Sequence, residues 1–153
     1  MMKYAHTNVV ARDWERLAAF YEQVFECVRV PPVRSQSGAW LEAGTGVPGA
    51  RLNGVHLRLP GFGDAGPTLE VYSYSSMEPN PPQVANRTGF GHIAFEVDDV
   101  AAVLAEVVLH GGAEVGRITE AVVPGKGRIT FVYAADPEGN LIELQRWELD
   151  RTA

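Results

Sequence analysis

The chain has 153 residues, 46% hydrophobic and 21% charged, with a formal net charge of −6; that is enough for one compact domain, or for two small halves sharing a core. An acidic balance without a lysine or arginine cluster excludes a nucleic-acid backbone and an acidic membrane surface as partners. One cysteine, Cys27, excludes an internal disulfide, and with no apolar leader or membrane-length apolar run the expected location is the cytoplasm.

Taken in order, Tyr4 to Val10 reads as a strand with His6 and Asn8 on one face. Asp13 is an N-cap, and Trp14, Leu17, Ala18, Tyr21, Val24 and Phe25 recur at helical spacing, predicting an amphipathic helix to Glu26. Pro31-Pro32 ends any continuation. Short β runs are expected over Cys27 to Val30, Ala39 to Ala43 and Leu52 to Leu59, the last placing His56 and Arg58 opposite Val55, Leu57 and Leu59. Gly61-Phe62-Gly63-Asp64-Ala65-Gly66 matches the spacing of a dinucleotide-binding loop. That motif needs a helix directly after it. Here Pro67 and the strand-like run Thr68 to Tyr74 follow, so the loop is a hairpin turn. Residues 76–88, with Pro79, Pro81 and Pro82, read as a linker between modules 1–75 and 89–149 of one domain spanning 1–153.

The second module repeats the first. A strand carrying His92, Ala94 and Glu96 on one face and Ile93, Phe95 and Val97 on the other leads to a helix capped by Asp98 or Asp99. Val100, Val103, Leu104, Val107 and Val108 form that helix's apolar face, and Gly111-Gly112 stops it. Strands follow near Ala113 to Thr119, Arg128 to Tyr133 and Leu141 to Trp147, with Asp136-Pro137-Glu138-Gly139-Asn140 as a turn. His6 and His92 each stand seven residues before a capping aspartate, Asp13 and Asp99. The closing strands match as well, Leu69-Glu70-Val71 against Ile142-Glu143-Leu144. Each module thus reads as βαβββ, an α+β fold in which paired modules share a barrel-like mixed-sheet surface.

The repeat singles out His6, Glu70, His92 and Glu143. A lone strand histidine is usually half-exposed or hydrogen-bonded, and a lone glutamate between aliphatics usually faces solvent. All four fall at repeat-equivalent places, and under pseudo-twofold symmetry they are expected to converge. Two imidazoles and two carboxylates suit one divalent ion such as Zn, Ni, Co, Mn or Fe(II), with positions left for water or substrate. His110, beside Gly111, reads as a helix-end dipole contact, and Glu96, on the same face as His92, reads either as a support behind that histidine or as a solvent-facing residue.

These residues, with Phe20-Tyr21, Gly91-His92-Ile93-Ala94-Phe95, Val97-Asp98-Asp99 and the Asp136 turn, resemble the vicinal oxygen chelate superfamily. This is the glyoxalase, bleomycin-resistance and extradiol-dioxygenase group, and the resemblance covers nearly the whole chain. It implies a metal-lined cavity, often in a homodimer, and a small-molecule substrate. Extradiol dioxygenases and fosfomycin-resistance enzymes of the group lack a ligating carboxylate where Glu70 stands. Glyoxalase I carries glutamate there, and methylmalonyl-CoA epimerase a glutamine, so the resemblance favours the lyase and isomerase branch. Val10 and Tyr74 occupy the places where glyoxalase I has a glutathione-binding arginine and asparagine, so glutathione is not implied.

The reading is therefore a divalent-metal lyase or isomerase that moves a proton next to a carbonyl through a metal-bound enediolate. Glu143 is the expected base, with Glu70 delivering a proton on the other side. Two alternatives stand beside it. One is an Fe(II) or Mn dioxygenase using His6, His92 and Glu143. The other is a non-catalytic drug- or metabolite-binding protein lined by Trp40, Tyr72, Tyr74 and Trp147.

Overall fold

A computed structural model describes residues 1–150. They form two compact units that divide between Asn80 and Pro81. The first contains β1 (His6–Val10), α1 (Trp14–Phe25), β2 (Val28–Ser37), α2 (Ala39–Thr45), β3 (Arg51–Arg58) and β4 (Thr68–Tyr74). Its sheet runs β1-β4-β3-β2, with β1 and β4 parallel and the other pairs antiparallel.

Asp13 caps α1, accepting a hydrogen bond from the Arg16 N–H at 3.0 Å. The helix stops at Glu26, which takes the left-handed conformation with φ 55°. Leu17, Ala18, Phe20, Tyr21 and Phe25 are buried along one stripe of α1, which packs on β3 and β4. The residues it meets there alternate along the strands: Val55, Leu57, Leu69 and Val71 are at most 1% exposed. Each such burial contributes about 1.5–3 kcal/mol. Because strand side chains alternate, fixing these four under the helix turns His56, Glu70 and Tyr72 to the opposite face.

The second unit contains β5 (His92–Glu96), α3 (Val100–Leu109), β6 (Ala113–Glu114), β7 (Thr119–Val123), β8 (Gly127–Ala135) and β9 (Leu141–Leu149). Asp99, rather than Asp98, caps α3, accepting from the Ala102 N–H at 3.0 Å. Val100, Leu104 and Val107 are buried, and α3 packs on β6, β8 and β9, where Val132, Ala134, Ile142 and Leu144 are at most 1% exposed. Again the opening and closing strands, β5 and β9, pair in parallel. The fold is α+β as expected, with two mixed sheets; both are open, and no closed barrel occurs among the described residues.

The internal repeat extends to register. Glu70 pairs with Asn8 and Glu143 with Ala94, so in each unit the histidine stands two residues before the glutamate's partner. On the other side of the closing strand, Glu70 pairs with His56 and Glu143 with Tyr133. The edge strand repeats too. β2 shifts register between Val30 and Arg34, and β6 and β7, which both pair with β8, are separated at the matching place.

Three expectations are corrected. Ala39 to Ala43 is not a strand but lies in α2, which Gly38 and Gly46 bracket with φ 107° and 71°. The helix-forming run Ala-Trp-Leu-Glu-Ala outweighs a strand too short to show alternation, and Leu41 anchors the turn in a small core with Ala50, Leu52 and Tyr72. β2 does not end at Val30 but continues through Pro31-Pro32 to Ser37, which an edge strand tolerates because one side needs no N–H donors. Ala113 to Thr119 is broken into β6 and the start of β7. The glycine loop turns as expected: Gly61 and Gly63 have φ 85° and 65°, and β4 follows it.

Candidate functional site

In the first unit His6 and Glu70 meet across the parallel β1–β4 pair, with His6 Nε2 3.3 Å from Glu70 Oε2. In the second unit His92 and Glu143 meet across β5–β9, with His92 Nε2 2.8 Å from Glu143 Oε2. The four expected ligands are thus brought together two by two. The glutamate side chains are 11% and 15% exposed, and the histidines 45% and 30%. Each pair therefore has a covered carboxylate and an accessible imidazole.

The separations suit a shared ion. Two donors each about 2.1 Å from a metal stand about 3.0 Å apart at a right angle and about 3.4 Å apart at the tetrahedral angle. Both pairs lie close to that range, and the donor set, one imidazole and one carboxylate each, fits a borderline divalent cation. Among the described residues no group of three or more His, Cys, Asp or Glu side chains is already arranged to hold an ion. Each unit supplies two donors.

The surroundings of the two pairs differ. Glu70 is met by His56 Nε2 at 2.9 Å, by the Tyr72 hydroxyl, which donates at 3.2 Å, and by Asn8 Nδ2, which donates at 3.3 Å. His56 is itself fixed: Nε2 is 2.9 Å from the Tyr72 hydroxyl and Nδ1 is 3.2 Å from Thr68 Oγ1. Burial lowers the His56 pKa against the opposing pull of Glu70, with Arg34 and His6 adding to the lowering. A neutral ring with its proton on Nε2 donates to the Tyr72 hydroxyl, which in turn donates to Glu70, and accepts from Thr68 at Nδ1. Burial, then the Glu70 charge, push the Tyr72 phenol up to about 12, so it remains a donor.

Around Glu143 the matching positions hold Tyr133, Ala94 and Gln145. Tyr133 lies against the His92 ring, centroids 4.7 Å apart, and its pKa is raised by burial and then by the Glu143 charge. Gln145 turns to Trp147 instead, accepting from the indole Nε1 at 3.2 Å. The Glu143 strand is held in register by the turn before it. There Asp136 accepts from the Glu138 and Asn140 N–H groups at 2.9 and 3.0 Å, and from Asn140 Nδ2 at 2.8 Å.

His56 is the residue whose weight the sequence understates. Strand alternation places it on the correct face but explains it equally well as a surface residue. Counting back across the hairpin loop from Glu70 would have set it opposite that carboxylate. Trp40 is 61% exposed on α2, and Trp147 lies under Lys126, whose Nζ is 3.6 Å from the ring centroid. Glu96 is exposed beside His92's strand face, and His110 caps α3, its N–H donating to the Glu106 carbonyl.

The profile of the Glyoxalase/Bleomycin resistance protein/Dioxygenase superfamily matches residues 3–144. The chain belongs to that superfamily. A glyoxalase family protein from Bacillus cereus superposes with TM-score 0.80 at 17% identity, covering 96% of this chain and 95% of that one. The genomically encoded fosfomycin resistance protein FosX of Listeria monocytogenes gives TM-score 0.58 at 16% identity, with 98% and 97% covered. A family enzyme from Burkholderia phytofirmans gives 0.54 at 15%, with 94% and 98% covered. At these identities the likeness speaks for the fold. No curated protein matches the chain. Among the described residues no helix is long and apolar enough to cross a membrane.

Proposed function

We propose that this superfamily member is a divalent-metal-dependent lyase or isomerase acting on a small carbonyl substrate, with His6, Glu70, His92 and Glu143 as the metal ligands. The observation that carries the reading is the register match. Two modules keep an imidazole and a carboxylate at the same offset on the same two strands. The two donor separations, 3.3 and 2.8 Å, are close to those of neighbouring ligands on one ion.

A bound divalent cation supplies Lewis-acid stabilisation of negative charge developing on a substrate oxygen. The chain supplies the rest. Glu143 removes the proton next to the carbonyl: its one side-chain partner among the described residues is His92, so it can swing toward a substrate carbon and accept a proton there. The imidazoles, 45% and 30% exposed, are carried by β1 and β5. A homodimer and a cytoplasmic location complete the reading.

Metal analysis of protein purified without chelators tests it first, with about one transition-metal ion per chain expected. A chain that holds none, even after reconstitution, would refute the proposal. Glu143→Gln then tests the base. Turnover of the carbonyl substrate should fall by about 10²–10⁴-fold, with the melting temperature unchanged; full activity in this variant removes Glu143 from the role.

A further inference from the structure

Glu70 and Glu143 occupy equivalent places, and their side chains are covered to nearly the same degree, 11% and 15% exposed. Burial therefore does not distinguish them, but their polar side-chain contacts do. Glu70 has four among the described residues: His6, Asn8, His56 and Tyr72. Glu143 has one, His92. Three polar side chains have been added on one side of the repeat, from β1, β3 and β4: Asn8 and Tyr72 donate to Glu70 and His56 lies 2.9 Å from it, so both carboxylate oxygens are engaged.

We infer that His56, Tyr72 and Asn8 are positioning residues that lock Glu70 as a fixed metal ligand, leaving proton transfer to Glu143 alone. The inference rests on the ligand set proposed above and replaces the expectation that Glu70 returns a proton. A carboxylate that shuttles protons must turn away from its ion and back. Here that turn breaks contacts to His56 and Tyr72 on Oε1 and to Asn8 on Oε2. The lock is itself anchored, because Thr68 fixes the far nitrogen of His56. Tyr72 is held over Gly54, where the closest approach leaves no room for a side chain: a Cβ there would lie 2.4 Å from Tyr72 Cδ1. In the second unit the same three positions hold Tyr133, Gln145 and Ala94.

Groups that orient a ligand in this way typically change metal affinity by about 10–100-fold when removed. The test is calorimetric titration of Co²⁺ or Zn²⁺ into the metal-free full-length protein and its variants. Tyr72→Phe and His56→Gln should each weaken binding about 10–100-fold, and Asn8→Ala by less. Gln145→Ala, the counterpart of Tyr72, should stay within about threefold of the parent. Melting temperatures of the metal-free variants separate loss of orientation from loss of folding: Tyr72→Phe keeps the ring and its packing, so its metal-free form should melt with the parent. Equal affinity in the parent, Tyr72→Phe and His56→Gln overturns the inference while leaving the ligand set standing. Equal losses in Gln145→Ala and Tyr72→Phe also overturn it, since the asymmetry would then be absent. A parent that binds neither ion instead refutes the reading on which the inference rests.

Discussion

Gly54→Ala is the smallest change that strikes fold and site together. Gly54 lies on β3 opposite Tyr72 of β4, and a Cβ built there would stand 2.1 Å from the Val71 carbonyl oxygen, 2.4 Å from Tyr72 Cδ1 and 2.9 Å from Tyr72 Cα. Carbon–carbon and carbon–oxygen contacts below 3 Å are strongly repulsive, and two of these three atoms belong to backbone, which has no rotamer in which to retreat. Relief requires β3 and β4 to part in the middle of the first sheet. Overpacking of this kind costs about 1–3 kcal/mol where side chains can adjust, so about 3 kcal/mol is expected where backbone must move. For a chain of this length about 1 kcal/mol shifts the melting temperature by about 2–4 °C, giving a fall of about 6–12 °C. Thermal unfolding followed by far-UV circular dichroism measures it. Gly44→Ala is the control, since Gly44 lies in α2 and a Cβ there meets nothing within 4 Å; helix propensity predicts a gain of about 0.5–1 kcal/mol. A Gly54→Ala protein melting within 2 °C of the parent, a threshold set from that same scale, would show that the close approach of β3 and β4 is not a constraint.

Other substitutions probe the supports of the site. Asp136→Ala removes the acceptor of three hydrogen bonds in the turn before β9, and chemical denaturation should show a loss of about 2–4 kcal/mol; a loss below about 0.5 kcal/mol would contradict the role given to the turn. Asp13→Ala and Asp99→Ala each delete a helix cap and should each cost about 1 kcal/mol, additively, because the caps serve separate units. Burial, then the charge of Glu22, raise the Cys27 thiol to about 12, so iodoacetamide at pH 8 should label it only after denaturation. The same shift has a sign in stability: from the thiol's ordinary 9.0 upward the unfolded chain loses its proton first, so this group's contribution falls by about 1.4 kcal/mol per pH unit until the folded thiol also ionises. Unfolding midpoints that rise between pH 9 and 10.5 would oppose that assignment, Tyr72 pushing in the same direction.

The modules were legible in the sequence because their signals are local. Asp13 and Asp99 mark helix starts by a hydrogen bond formed within three residues, and Leu17, Phe20 and Tyr21 reveal their shared face through helical period alone. The His and Glu positions stood out in the sequence because a repeat offers a second copy against which to compare the first. What escaped depends on contacts between distant residues. The helix at Ala39–Thr45 is held by Leu41 reaching Leu52 and Tyr72, and the length of β2 follows from its place at a sheet edge. His56 gained its meaning only when β3 and β4 were laid side by side, since its donors and acceptors come from Thr68, Glu70 and Tyr72.

The parallel pairing of first and last strands has a consequence for how the protein is made. His6 and Glu70 are 64 residues apart in sequence, and His92 and Glu143 are 51 apart, yet each couple lies on neighbouring strands. During synthesis the opening strand waits, its imidazole without a carboxylate, until the rest of its module has emerged and the closing strand slides in beside it. Such long-range pairing is slow to form. A cation gripped by both members of a couple would act as a latch on a completed circuit, binding only a module whose closing strand is in place and stabilising it over its unfinished forms.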